Sequence, residues 1–251
     1  LKQQLMLKEK QGSALKRNQL EDYKINKMEV RDQYRDLADL FRYPDADYIK
    51  NVNTCADNLK VRYPLAYEKL TPFLTWINDH NLFEIEELFG KTFHIQAICY
   101  LDMGYVLFAE DYKRGEFLVQ MKRELAEANI DDRGELADNL PNVLMLMSVH
   151  QDKAFLNEFA GRVVKVALEK MIGEFNESRI ALKDKVRMKK QKVIILEGLQ
   201  NRNIYQFALE AIQSVINIDF TTEYNDPTIV PNLGIDALSC GSSCSTPQET
   251  V

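Results

Sequence analysis

An all-α fold, built as a single compact multi-helix domain, is what the sequence predicts, and three observations predict it. Apolar residues recur at three- and four-residue spacings over long stretches, as in Phe93, Ala97, Leu101, Gly104 and Phe108, which stacks them on one helical face. No extended run alternates apolar with polar residues, so nothing supports a sheet. The 251 residues are 45% apolar and 28% charged, enough to bury a substantial core around such helices.

Taken in order, residues 1–27 mix lysines with scattered leucines around a Gly12-Ser13 break and are expected to be a variable arm. The helical domain is expected over 28–218. Its first helix carries Tyr34, Leu37, Ala38 and Phe41 and ends at Tyr43-Pro44. A second covers roughly 46–63 through Ile49, Val52, Cys55 and Leu59, and Pro64 bounds it. A third runs through Tyr67, Leu70, Phe73 and Ile77, with Pro72 arguing for a late start; residues 84–89 read as either helical or extended.

The 91–109 stretch is expected to form one apolar helix running into the charged connection Glu110, Asp111, Lys113 and Arg114, where Gly115 reads as a permissive turn residue. Phe117, Leu118, Met121 and Leu125 give the next amphipathic helix, and 129–134 is a polar break. Pro141 suits the first turn of the helix after it, where a missing amide costs little. Residues 152–176 have the strongest long helical pattern. KDKVRMKKQK at 183–192 reads as a charged connector, and a last helix is expected near 204–215. Residues 219–251, turn-rich and ending in a segment with CGSSC, are expected to be a flexible tail.

Composition narrows the function. A net charge of -6 gives no general field for nucleic acid, and the one basic run lacks interleaved aromatics. No apolar run approaches the roughly 18 residues of a membrane-spanning helix, and the supplied start has no secretory pattern, so cytoplasm is the expected compartment. His80, His94 and His150 are scattered rather than paired, and Cys240 with Cys244 alone does not close a zinc site. Neither a phosphate loop, a dinucleotide fingerprint nor a nucleophile motif is present. No catalytic, cofactor-binding or metal-ligating residue is expected, and no stably bound cofactor.

A partner-binding surface asks for less special chemistry: apolar helix faces form a groove and charged residues at its rim orient a peptide. Asp102 beside aromatics reads first as solvated or locally paired. Tyr100 and Tyr105 can offer rigid aromatic faces with a polar handle.

The blocks FRYPDADYI, CYLDMGYVLFAEDYKRGEFLVQMK and ELADNLPNVLMLMS resemble the family of respiratory nitrate reductase assembly chaperones, the delta-subunit or NarJ/TorD-like family, over roughly residues 34–175. The resemblance implies a NarJ/TorD-like helical domain that works in maturation of a molybdenum oxidoreductase. Its implied partner is the immature catalytic subunit, held through its N-terminal segment while molybdenum-bis-pterin guanine dinucleotide and iron–sulfur clusters enter that client. The family's central helix corresponds to 100–108, its charged turn to 110–115 and its leucine-proline block to 136–147. Tyr100, Asp102, Tyr105, Arg114 and Gly115 are the expected client-binding residues. A structural subunit of the mature oxidoreductase and a helical enzyme are the readings of other classes.

Overall fold

The computed structural model describes residues 32–95, 97–181, 183, 201 and 203–221. Among them the regular structure is helical, apart from one isolated antiparallel bridge between Asp102 and Asn139. The helices are α1 (residues 32–39), α2 (Tyr48–Arg62), α3 (Pro64–Asp79), α4 (Leu82–Phe93), α5 (Met103–Phe108), α6 (Lys113–Glu127), α7 (Leu140–Val149), α8 (Lys153–Phe159), α9 (Lys165–Gly173) and α10 (Ile204–Asp219). A π-helical segment, Ala160–Val164, joins α8 to α9 without a break, and residues 177–181 add a helical turn.

Local chemistry explains most of the boundaries. Pro64 sits in the first turn of α3, and Asn81 with Glu84 closes a capping box at the start of α4. Asp152 accepts the amides of Ala154 and Phe155 to begin α8.

The core is organised on α10. Its spacing buries Ile204, Tyr205, Ala208, Leu209, Ala211, Ile212, Val215 and Ile216, chiefly against α3 and α9. Tyr205 meets Phe41, Phe73, Phe89 and Phe93 with ring centroids 4.8–5.9 Å apart, in edge-on or tilted geometries that suit aromatic quadrupoles. Its hydroxyl lies 3.2 Å from that of Tyr48, which donates to the Leu40 carbonyl at 2.7 Å, so the polar tips of this cluster are paired.

The other end of α10 is fixed by a carboxylate. Asp219 accepts from Gln33 Nε2 and the Tyr34 hydroxyl at 2.6 Å each and from the Tyr63 hydroxyl at 2.7 Å, tying α10 to α1 and to the α2–α3 corner. Lys165 Nζ donates to the Phe220 carbonyl at 2.6 Å beside it.

Several expectations are corrected. The helix expected over 91–109 is two helices: α4 ends at Phe93 and α5 starts at Met103, and between them Ile98 and Cys99 fold back to donate their amides to the Thr92 carbonyl. The apolar spacing there reflects burial of Phe93, Ala97 and Leu101 without a shared helical face, and Cys99 is buried in the fold-back. Residues 84–89 are helical, within α4. Pro72 does not delay α3, because the carbonyl it leaves unbonded belongs to exposed Glu68, where solvent can serve it. Gly115 is not a turn residue: it lies inside α6, exposed, with nothing within 4 Å of an added Cβ. The last helix continues past 215 to Asp219. Residues 184–192 of the basic connector, the whole of the N-terminal arm expected over 1–27, and residues 222–251 of the expected tail, with Cys240 and Cys244, lie outside the described residues.

Candidate functional site

The segment from Leu101 to Gly104 and the segment from Asp138 to Leu140 cross at the antiparallel bridge, just where α5 and α7 begin. Met103 N donates to Asp138 O and Leu140 N to Leu101 O, each at 2.9 Å. Side chains duplicate the link: Asp138 Oδ2 accepts the Gly104 amide at 2.7 Å, and Asn139 Nδ2 donates to Asp102 Oδ1 at 3.1 Å. Asp102, the residue before α5, makes no capping bond of its own; Asp138 supplies the carboxylate at that helix end from across the bridge.

Asp138 is fully buried, and its Oδ1 has no partner among the described residues. Burial raises its pKa above the ordinary carboxylate value; the Gly104 amide opposes that shift and the nearby Asp102 adds to it. Gly104 is required by this geometry: a Cβ would lie 2.6 Å from Asp138 Oδ2 and 3.0 Å from the Phe117 ring.

On this frame four of the five expected residues come together. The Tyr100 and Tyr105 rings meet edge-on at 4.6 Å, and the Arg114 guanidinium lies over the Tyr105 ring at 5.1 Å. Asp102 is half-buried at the bridge. Gly115 adds no side chain and stands exposed on the first turn of α6.

Tyr100 and Asp102 also form one wall of a cleft of about 390 Å³. It is lined as well by Arg42 and Tyr43 from the α1–α2 corner and by Phe89, Phe93 and His94 from α4 and its end. Arg133, Glu135, Leu136, Asn139, Pro141 and Asn142 complete the rim and floor from the segment that enters α7. Tyr43, Tyr100 and Leu136 keep 59%, 44% and 42% of their surface exposed, so the rim presents apolar area to a ligand rather than only to the core. Asn142 is held by the carbonyls of Asp132 and Leu136, which fixes the floor.

Sequence reasoning missed Asp138, Asn139, Arg42, Tyr43 and Arg133. Arg42 and Tyr43 stand in FRYPDADYI, where the Tyr-Pro pair drew attention as a helix end; Asp138-Asn139 before Leu140-Pro141 is a readable helix-start signal whose partner, Gly104, lies 34 residues away.

The arrangement offers aromatic faces, guanidinium donors, carboxylate and amide groups, and a fixed floor, which suits reversible binding of a chain segment. Among the described residues no cluster of three or more His, Cys, Asp or Glu side chains is disposed to hold a metal ion, and no helix is long and apolar enough to cross a membrane. No family model matches the chain, and no curated protein matches it.

Proposed function

We propose that the chain is a cytoplasmic assembly chaperone of the NarJ/TorD-like type that binds the immature catalytic subunit of a nitrate-reductase-like molybdenum oxidoreductase and assists its cofactor insertion and complex assembly. The observation that carries this reading is convergence. Tyr100, Asp102, Tyr105 and Arg114, chosen on the resembling blocks, adjoin one another beside a cleft with an exposed aromatic rim. The client's N-terminal segment is the ligand this surface is proposed to take.

Such work needs no covalent step. A surface that binds the unfinished client more tightly than the finished one shifts the client's conformational equilibrium by that difference in affinity, and about 1.4 kcal/mol of difference gives a tenfold shift. Release follows when cofactor loading or docking of the electron-transfer subunit removes the preferred state.

The test is capture of endogenous partners before and after molybdenum cofactor synthesis is blocked. The expected result is enrichment of an unloaded catalytic subunit when synthesis is blocked. Equal affinity for loaded and unloaded client would overturn the reading, and stoichiometric persistence in the active complex would make the chain a structural subunit instead.

A further inference from the structure

Two side chains of opposite charge each turn one polar atom inward beside Gly104 and leave it without a hydrogen bond. Asp138 gives Oδ2 to the Gly104 amide, but its buried Oδ1 has no partner among the described residues. Arg114, on the first turn of α6, lies with its guanidinium over the Tyr105 ring at 5.1 Å, while its buried Nε finds no acceptor among the described residues. The two side chains adjoin. The point where a Gly104 Cβ would sit is 2.6 Å from Asp138 Oδ2 and 3.5 Å from Arg114 Cγ.

One atom lacks a donor and the other an acceptor, so each can serve the other. A buried carboxylate held by a single amide is poorly compensated once it ionises, and a guanidinium hydrogen bond compensates it strongly. Arg114 Nε is already out of water, so turning it toward Asp138 costs that nitrogen no further hydration. What the side chain gives up is the half-buried Tyr105 ring, a weaker partner for a cation that water still reaches.

The charge on Asp138 decides between the two seats. Burial raises its pKa, the Gly104 amide lowers it, Asp102 on the bridge segment raises it and Arg114 on α6 lowers it. The neighbours from α6 and α7 add no further charge there: Phe117 is apolar, and the Asn139 amide is taken by Asp102. Protonated, Asp138 holds Arg114 weakly and the guanidinium stays over Tyr105. Ionised, it draws the guanidinium in.

We propose that Arg114 has two seats, one on the Tyr105 ring and one on Asp138 Oδ1, so that ionisation of a carboxylate inside the protein withdraws a cation from the Tyr100–Tyr105 face. The outer seat presents a guanidinium beside two rings; the inner seat leaves the rings bare. That a client selects the outer seat rests on the chaperone reading above, whereas the two seats do not.

The test is nuclear magnetic resonance on the full chain without a partner, from about pH 4 to about pH 8, a range that spans a raised carboxyl titration. Arg114→Lys assigns the Arg114 Nε–Hε signal by its loss, and the Asp138 carboxyl carbon reports ionisation directly. At the acid end, strong Overhauser contacts are expected between Arg114 and the Tyr105 ring. As Asp138 ionises these contacts are expected to fade, while the Nε–Hε proton moves downfield on bonding a carboxylate. Asp138→Asn is expected to keep both readouts at their acid values throughout. Tyr105→Leu removes the outer seat, so its Nε–Hε transition is expected at lower pH than in the unchanged protein. Circular dichroism at each pH establishes that the variants keep their helices, and Tyr105→Leu decides alone if Asp138→Asn does not fold. Ring contacts that persist across the whole range, movement that survives in Asp138→Asn, or a Tyr105→Leu midpoint that does not fall would overturn the proposal. So would a long-lived water at Arg114 Nε–Hε with the guanidinium still on the ring, which would make the two atoms a water-bridged pair. No client is present in any arm, so failure here leaves the chaperone reading standing, and failure of partner capture leaves this one.

Discussion

The carboxylate of Asp138 receives the backbone amide of Gly104 at 2.7 Å across 34 residues of chain, inside the protein. A glycine is needed because the carboxylate occupies the space a side chain would take, 2.6 Å from an added Cβ. Gly104→Ala is therefore expected to destabilise the fold by about 1–3 kcal/mol, the usual range for forcing a group into a packed site. Gly115→Ala, with open space around it inside α6, is expected to add about 0.5–1 kcal/mol. Urea denaturation of the two variants checks the opposite signs.

Asp138 also predicts a pH dependence. Its folded pKa is raised by burial, so between the ordinary carboxylate value near 4 and that raised value the folded chain binds more proton than the unfolded one. Stability contributed by this group is highest below the window, falls as pH rises through it and levels off above. Asp138→Asn removes this slope, which urea midpoints collected across the acidic range for both proteins will read.

The Asp219 clamp gives a third expectation. Asp219→Ala leaves the buried Tyr34 and Tyr63 hydroxyls and the Gln33 amide without their shared acceptor. A loss of about 3 kcal/mol is expected for buried donors orphaned from a charged partner. Tyr34→Phe in the same background removes one orphan, so the double variant should lose less than the sum of the two single changes; equilibrium unfolding in a double-mutant cycle measures it.

On the proposed chaperone reading, client binding is expected to weaken without loss of helix in Arg114→Ala and Asp102→Asn. Arg114 lies over Tyr105, and its removal strips the cation from the aromatic pair; a cost of about 1–2 kcal/mol, or roughly 5- to 30-fold in Kd, suits a central interface arginine. Calorimetry with the isolated N-terminal segment of the client gives the affinity, and unchanged Kd in both variants would reject this surface.

Cys55 and Cys99 are buried, and burial pushes both thiols above their ordinary pKa. Neither is expected to alkylate in the native protein at neutral pH, and both should do so in urea, as mass mapping of the modified peptides will report.

Helix-forming pattern was legible where one face is buried along a continuous element. The spacing in α10 carried its burial, and Pro64, Pro141 and the Asn81–Glu84 pair carried helix starts. It misled at 94–102, because Ala97, Ile98, Cys99 and Leu101 are all buried and apolar whichever backbone they adopt, and the crossing with residues 138–140 is a tertiary choice. The same holds for the site. Tyr100, Asp102, Tyr105 and Arg114 stand close in sequence and could be grouped on sight, whereas Arg42 and Arg133 reach their cleft only through the fold.

The wide turn at Ala160–Val164 puts α8 and α9 out of phase with a single uninterrupted α-helix. Excising one residue from it would let a regular α-helix run through with everything downstream on its present face, whereas winding all five residues as α-helix would turn everything downstream by about a quarter of a revolution. Lys165 would then point away from the Phe220 carbonyl, and Leu168 and Met171 away from the interior, so a change far from the cleft would loosen the carboxy-terminal anchor. For anyone shortening or grafting this protein, those five residues set the timing of the whole second half.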